Sequence, residues 1–510
     1  MKFRLLPKFL RWTWRTLLLL VVLVVLFILE ESVRGRILLA RYKAELRAKG
    51  EKLTLAELDL PNPPKEGNGA PALLAAADAL GAATNAHPLS QYRLAWRQFA
   101  APGRAVVLCH EEQLGYWWSP THSWDELSED LAVVSNALEK ARAAAREPSL
   151  ALELDYRKGY DLRLPHYAKI RPLREWLAVA ALEALHRNDL DAALENIAGI
   201  SGLVRLQKDD RLLGLQRFRL WTANIGLEVT WEALQAEGWT EQQLAKLQDI
   251  WHSAACVPDF LPSMETDRVT YLQAYNRDTL KDLLDGLNFV RYYNEELKKG
   301  WDYWMDTSLL TAHWLVWRVA WFDQDQLRAL RVWQHNFDGT RAVVEQKSWA
   351  AWPVMRARPW TFYDRWRYLL YGTSYGCELE MEEAAKYETL REMTVAAIAL
   401  KRYQLSTGKL ASDLSALVPE FLPALPHDWM DGKPLHYRLN ADGTFTLYSV
   451  GMDGVDDGGD PNPPNPKGSY RMWFTRDAVW PLPATQNDME AWKSKWLEQG
   501  EKVRGRGQRG

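Results

Sequence analysis

The sequence predicts a mainly α-helical protein: an N-terminal signal-anchor helix, a body of helical hairpins arranged as a bundle or irregular solenoid, and a small α+β domain at the C-terminal end. Three observations lead there. Thr16 to Leu29 (TLLLLVVLVVLFIL) is an uncharged apolar run. From Ala70 to about Tyr371, apolar residues recur at the spacing of amphipathic helices. Beyond Leu405 the helical period stops, turn residues become dense and short apolar runs take over.

The apolar run is flanked by Lys2, Arg4, Lys8, Arg11 and Arg15 on one side and by Glu30 and Glu31 on the other. The positive-inside bias puts residues 1–15 in the cytoplasm as a basic segment and sends the rest outward. At 1.5 Å per residue the strict run covers ~21 Å, short of the ~30 Å hydrocarbon core. Trp12 and Trp14 on one side and Val33, Ile37 and Leu38 on the other lengthen it, with the charged side chains snorkelling. A cleaved signal peptide is the competing reading of so short a run, but the Glu-Glu-Ser-Val-Arg-Gly-Arg that follows offers no small-x-small cleavage site. An uncleaved anchor over residues 16–33 is the expectation, crossing the inner (cytoplasmic) membrane once and leaving the bulk of the chain extracytoplasmic.

Residues 34–69 read as a continuing helix or stalk that is broken by Pro61, Pro63, Pro64 and the Gly67–Gly69 pair. The helical domain is expected over 70–375. Leu173, Trp176, Leu177, Ala180 and Ala181 fall on one helical face, and Leu190, Ala193, Leu194, Ile197 and Val204 on the next. Asn188–Asp189 makes the turn between them, with Asp189 as cap. Gly238 closes a further helix, and Thr240 and Gln243 form a capping box for another. The pattern is that of antiparallel helix pairs without a sustained 34-residue repeat. Ser308–Phe322 carries His313 and Arg318, and its uncharged stretches are too short to cross a bilayer. It is expected to be a helix buried in the body, the alternative being a face in the bilayer surface carrying Trp314, Trp317 and Trp321.

The α+β domain is expected over 376–480. A helix runs from about Glu378 to Leu405, and strands follow at Leu435–Leu439 and Thr444–Val450. Asn440-Ala-Asp-Gly443 joins them as a hairpin turn, and a last strand covers Tyr470–Thr475. Residues 481–510 form a basic tail with Lys493, Lys495, Lys502, Arg504, Arg506 and Arg509.

Composition narrows the function classes. A net charge of −3, with no sustained basic face outside the two ends, argues against a nucleic-acid binder. Cys109, Cys256 and Cys377 make no CxxC pair and read as buried free thiols, the alternative in an oxidising compartment being one disulfide. The 26 tryptophans point to a heavy aromatic core, with a Trp-lined sugar or lipid site as the alternative. Gly372-Thr-Ser-Tyr-Gly376 matches the nucleophile-elbow pattern, which makes Ser374 a weak catalytic candidate, but no series of alternating strands and helices surrounds it. Cys109-His110-Glu111-Glu112 groups reactive residue types, yet neighbours in sequence do not face one another on a helix.

The last part of the chain resembles the globular domain of the major pseudopilins of type II secretion. The matching run covers roughly residues 380 to 475. It begins with the helix Ala396-Ala-Ile-Ala-Leu-Lys-Arg-Tyr403, continues through Gly408-Lys-Leu410, Leu414–Leu417 and Val418-Pro-Glu-Phe-Leu422, then Leu425-Pro-His-Asp428, Asp431-Gly-Lys-Pro434 and Tyr437, and ends with Leu447-Tyr-Ser-Val-Gly451 leading into Asp453-Gly454. The resemblance implies a calcium site in the loop after the hairpin, on Asp453, Asp457 and Asp460, and carboxylates on a Gly-rich loop are ligands of the type that calcium takes. In that family the domain follows directly on a processed N-terminal helix, whereas here the helical body intervenes. The whole layout resembles large membrane-anchored envelope proteins of bacteria.

The functional expectation is a membrane-anchored extracytoplasmic scaffold or interaction protein that meets the membrane through one helix and an envelope protein as partner, binding no nucleic acid. The alternatives are an envelope hydrolase acting on glycans or lipids, and an accessory component of a type II secretion or pilus-like system.

Overall fold

The computed structural model describes residues 8–64, 66–86, 97–113, 122–206, 208, 210–274, 312–354, 361–368 and 376–494. It is mainly helical, with one apolar helix at the N-terminus and small sheets.

That first helix, α1, spans Lys8–Ala48 without a break. No proline follows Pro7 until Pro61, so nothing in the sequence interrupts the hydrogen-bond ladder. It stops where Gly50 takes φ 82° and Glu51 N–H donates back to the Leu46 carbonyl at 3.0 Å, the geometry of a glycine C-cap. Among the described residues α1 is the one helix long and apolar enough to cross a membrane. Its apolar side chains from Leu17 to Phe27 are exposed.

The body is built from α2 (Ala70–Ala86), α3 (Trp124–Ala145), α4 (Pro165–His186), α5 (Leu190–Leu206), α6 (Leu213–Gln235), α7 (Glu241–His252) and α8 (Phe260–Ala274). After the helical segment 312–321 come α9 (Phe322–Gln346), α10 (Phe362–Arg367) and the long α11 (Gly376–Thr407). Successive helices pack on each other, α2 on α3, α4 on α5 and α5 on α6, while α11 returns to lie against α6 and α7.

The expected punctuation is present. Asn188 sits at φ 56° in the turn after α4, and the Asp189 carboxylate accepts the Ala192 N–H at 3.0 Å. Gly238 has φ 90° beyond α6, and Thr240 and Gln243 make the reciprocal capping box of α7. Helix approach is close at Gly226, where a Cβ would lie 2.4 Å from the Trp251 ring. One continuous apolar core runs from Ala70 to Trp480 and includes α11. Two tryptophans that anchor it have their N–H groups satisfied: Trp251 donates to Thr230 Oγ1 at 2.8 Å, and Trp231 to the Pro481 carbonyl at 2.9 Å.

Among the described residues, two three-stranded sheets complete the fold. In one, β3 (His436–Leu439) and β4 (Phe445–Ser449) form the expected hairpin, with Tyr437 opposite Leu447, and β5 (Ala478–Val479) adds antiparallel to β4. The run Tyr470–Thr475 is not a strand: it holds a 3₁₀ turn at Met472–Phe474, and the edge of β4 is taken by β5. In the other sheet, β1 (Phe99–Ala101) pairs with β2 (Arg104–Ala105), and β6 (Leu482–Pro483) lies parallel to β2. The chain leaving the hairpin sheet is thereby tied back to the start of the body.

Past the apolar run, α1 packs along α9. Leu39, Leu46 and Leu53 are buried against Leu327 and Leu330. Glu51, just beyond α1, is buried, and its carboxylate accepts from Arg268 at 2.9 Å, Arg341 at 2.7 Å and Gln334 at 3.0 Å. Burial pushes this carboxyl up, but the bonds from Arg341 and Gln334 and the charge of Arg268 outweigh it, so it lies below the usual range. Removing one partner from such a group leaves buried charge unmatched, so Glu51→Ala is expected to lower stability by about 3 kcal/mol, read from denaturation of the detergent-solubilised protein. Because the folded value is depressed, this contribution is fully present above about pH 4.3 and is lost as pH falls through the folded value. Acid melts of wild type and variant should therefore converge.

Candidate functional site

Just beyond the apolar run, α1, α9 and α10 enclose a cavity of about 360 Å³. Arg34 from α1, Arg328 and Arg331 from α9 and Arg367 from α10 line it, against the single carboxylate of Asp364. Leu38 and Leu327 form an apolar wall, and Gln324 and Tyr368 complete the lining.

Local sequence explains each position. Gly35 lets the helices meet: a Cβ there would lie 3.0 Å from Gln324 Cγ and 3.3 Å from Asp323 Cβ. Gln324 is clamped by donating to the Glu31 carbonyl at 2.9 Å and to its carboxylate at 2.8 Å. Arg328 and Arg331 are three apart on α9 and so share a face. Thr361 and Asp364 cap α10 reciprocally, and Asp364 accepts from Arg367 at 2.8 Å. Burial pushes the Asp364 carboxyl up, but Thr361 and Arg367 together hold it below the usual range.

The guanidinium groups lie against aromatic rings. Arg328 and Arg367 each sit 4.5 Å from the Tyr368 ring, Arg367 also lies 5.0 Å from Tyr363, and Arg331 is 5.7 Å from Tyr42. Arg34 pairs with Glu30 at 3.4 Å and with Glu31. Among the described residues Arg331 makes no salt bridge. Chemically the cavity offers forked N–H donors and positive charge, the equipment for holding an oxyanion. None of its described lining is His, Cys or Ser.

Beside it, Trp314, Trp317, Trp321 and Phe322 make a buried aromatic cluster against Ile28 of α1. Trp317 Nε1 donates to Asp325 at 3.0 Å and Trp321 Nε1 to the Tyr363 hydroxyl at 2.9 Å. The three tryptophans thus face inward, as a buried helix requires, and the apolar side chains left exposed on this segment are Leu315 and Val319.

The residues singled out from sequence are not brought together here. Ser374 lies outside the described residues. Asp453 accepts from Val455 N–H at 3.1 Å, and Asp460 accepts from Asn462 and pairs with Arg476 at 3.0 Å. Asp457 is exposed, and its N–H donates to Asp477 at 3.3 Å. Asp477, which sequence reasoning passed over, is fully buried and also accepts from the N–H groups of Gly459 at 2.7 Å and Asp460 at 3.0 Å. The loop therefore turns main-chain donors inward onto a protein carboxylate, whereas calcium needs converging oxygens. Among the described residues, no group of three or more His, Cys, Asp or Glu is arranged to hold a metal ion.

Around Cys109 the grouped residues diverge into structural roles. Leu108 and Cys109 N–H donate to Glu232 at 3.1 and 3.4 Å, the Cys109 carbonyl meets His186 Nδ1 at 2.9 Å, and Glu111 pairs with Lys493 at 2.9 Å. All three cysteines are free and buried; burial pushes the Cys256 and Cys377 thiols up to about 12 and that of Cys109 also upward, away from thiolate chemistry.

Two outcomes are expected from these polar centres. Asp477→Ala deprives three main-chain N–H groups of their acceptor and should cost about 2 kcal/mol, while Asp453→Ala should stay within about 0.5 kcal/mol. The reverse order in denaturation, with a melt sensitive to chelator, would make calcium the loop's organiser. Burial raises Glu232 to about 7, with the two N–H bonds pulling it back only in part. The folded state therefore holds a proton that the unfolded state releases above about pH 4.3. This group's contribution to stability falls as pH rises from there to about 7, and Glu232→Gln should flatten that slope in melts taken between pH 5 and 8.

Compared with known proteins, the chain matches no protein-family model, no curated protein and no solved structure.

Proposed function

We propose that this is a single-span scaffold or interaction protein of the cell envelope, with its helical body outside the cytoplasm and seated on the bilayer surface. The observation that carries the reading is that α1 passes from an exposed apolar run into the packed seam with α9 without a joint. A flexible tether leaves a domain free to tumble. A helix built into the core instead selects which face of the body meets the lipid.

That face has the right character. Ile28, in the last turn of the apolar run, touches the buried tryptophan cluster, so the segment 312–321 lies at the depth where the hydrocarbon ends. Around it Leu315, Val319, Phe362 and Trp366 are exposed. Apolar and aromatic side chains clustered at that level suit the interfacial layer.

Sidedness and seating are tested separately. Protease added to spheroplasts is expected to digest the body from outside; a body that survives until lysis would reverse the topology. For seating, fluorophores are placed at Phe362→Cys and Lys49→Cys in the reconstituted protein, the native thiols being buried. Lys49 stands ~25 Å further along α1 than Ser32. Lipids carrying a shallow quencher should quench the probe at 362 several-fold more strongly. Equal quenching at the two positions would sink the seated orientation.

A further inference from the structure

We propose that the arginine-lined cavity binds the phosphate of an anionic phospholipid headgroup; this rests on the reading of α1 as a membrane span. The argument begins with position. Trp12 and Trp14 are exposed at the start of the apolar stretch, where an interfacial aromatic belt belongs. Counted from Trp12, a ~30 Å hydrocarbon core at 1.5 Å per residue ends near Ser32. Arg34 then stands ~3 Å and Leu38 ~9 Å beyond the boundary. The mouth of the cavity thus falls in and just above the ~5–7 Å headgroup layer.

Charge and shape agree with that placement. Four guanidinium groups line the cavity, Arg34 paired with Glu30 and Glu31 and Arg367 with Asp364, and a tetrahedral phosphate offers the oxygens that such forks grip two at a time. The cavity has room for a phosphate and a small polar headgroup together, since its 360 Å³ equals about twelve times the share of one water in the liquid. The wall made by Leu38 and Leu327 is apolar, and Val33 and Ile37 are exposed on the same turns of α1. A soluble phosphate gains nothing from those surfaces, whereas an acyl chain rising along α1 is covered by them.

The rings beside Arg328, Arg331 and Arg367 help to hold the guanidinium groups in place and carry no charge of their own. Arg331 is exposed and, among the described residues, in no salt bridge, so its positive charge stays available while its removal leaves no buried carboxylate stranded.

The test uses the full chain in an uncharged detergent. Its melting temperature is followed as short-chain phosphatidylglycerol, short-chain phosphatidylcholine or inorganic phosphate is titrated in. Phosphatidylglycerol is expected to raise the melting temperature saturably, with phosphatidylcholine and inorganic phosphate at the same concentrations doing little. Arg331→Gln should melt like wild type in phosphatidylcholine and bind phosphatidylglycerol about fivefold more weakly. Arg328→Gln should weaken binding likewise, and Arg331→Lys should recover most of it. An undiminished phosphatidylglycerol response in both glutamine variants would overturn the site, and an equal response to inorganic phosphate would overturn the lipid as its ligand. Failure of the anchor reading shows differently, as release of the chain from membranes by alkaline carbonate.

Discussion

Everything in this architecture hangs on the seam where α1, having left its apolar run, packs along α9. The seam is partly polar. Glu31 is clamped by Gln324, Gly35 allows the backbones to close, leucines follow, and Glu51 ends the run inside a cage of Arg268, Arg341 and Gln334. An all-leucine seam would hold the two helices together at several offsets. Polar partners at both ends accept only one register, because any other leaves a buried charge without its mate. The angle between the body and the apolar run of α1 is set by that register, so on the proposed membrane reading the polar seam governs which surface faces the lipid.

The same logic explains the C-terminal half. α11 is no detached appendage: it shares the core of the body, and Lys401 donates to the Leu234 and Ala236 carbonyls at the end of α6. A cation at a helix C-terminus satisfies orphan acceptors and the end of the dipole together. Asp428, buried beneath the hairpin, gathers Ser449 Oγ, Val450 N–H and Met430 N–H at 2.9 Å each. Carboxylates in this region organise main chain.

What could be read directly from the sequence was local. The long apolar N-terminal helix, the Asn188–Asp189 turn, the capping box at Thr240 and Gln243 and the hairpin turn at 440–443 are each set by a few adjacent residues. The run Tyr470–Thr475 reads as a strand because its aromatic residues favour pleated surfaces, but β-propensity is settled by the available edge, and residues 478–479 occupy it. Asp477 was invisible for the same reason, since its three partners meet it only through the fold. The cavity was the least legible feature: Arg34 belongs to α1 and the other arginines to α9 and α10, so long-range packing alone assembles them. One signal was present, the i,i+3 pair Arg328 and Arg331 on a helix whose opposite side is apolar.

On the proposal that α1 spans a membrane, the arginines also bear on which way the chain inserts. Lys and Arg number five before the apolar run (Lys2, Arg4, Lys8, Arg11, Arg15) and six in the twenty residues after it (Arg34, Arg36, Arg41, Lys43, Arg47, Lys49). Counted over the full flanks, the two sides differ by one cation, and acidic neighbours weigh little in that balance. In the folded state several of the later cations are engaged by the body: Arg36 with Asp323, Lys43 with Gln326 and Arg47 with Glu57. These contacts form only once the body has folded, after the direction of insertion has been chosen. The distance of the cavity from the apolar run, by contrast, is fixed by the rise of one unbroken helix and is the same in either orientation. A ligand identified there by its charge and its depth therefore stands independently of the side of the membrane on which the body lies.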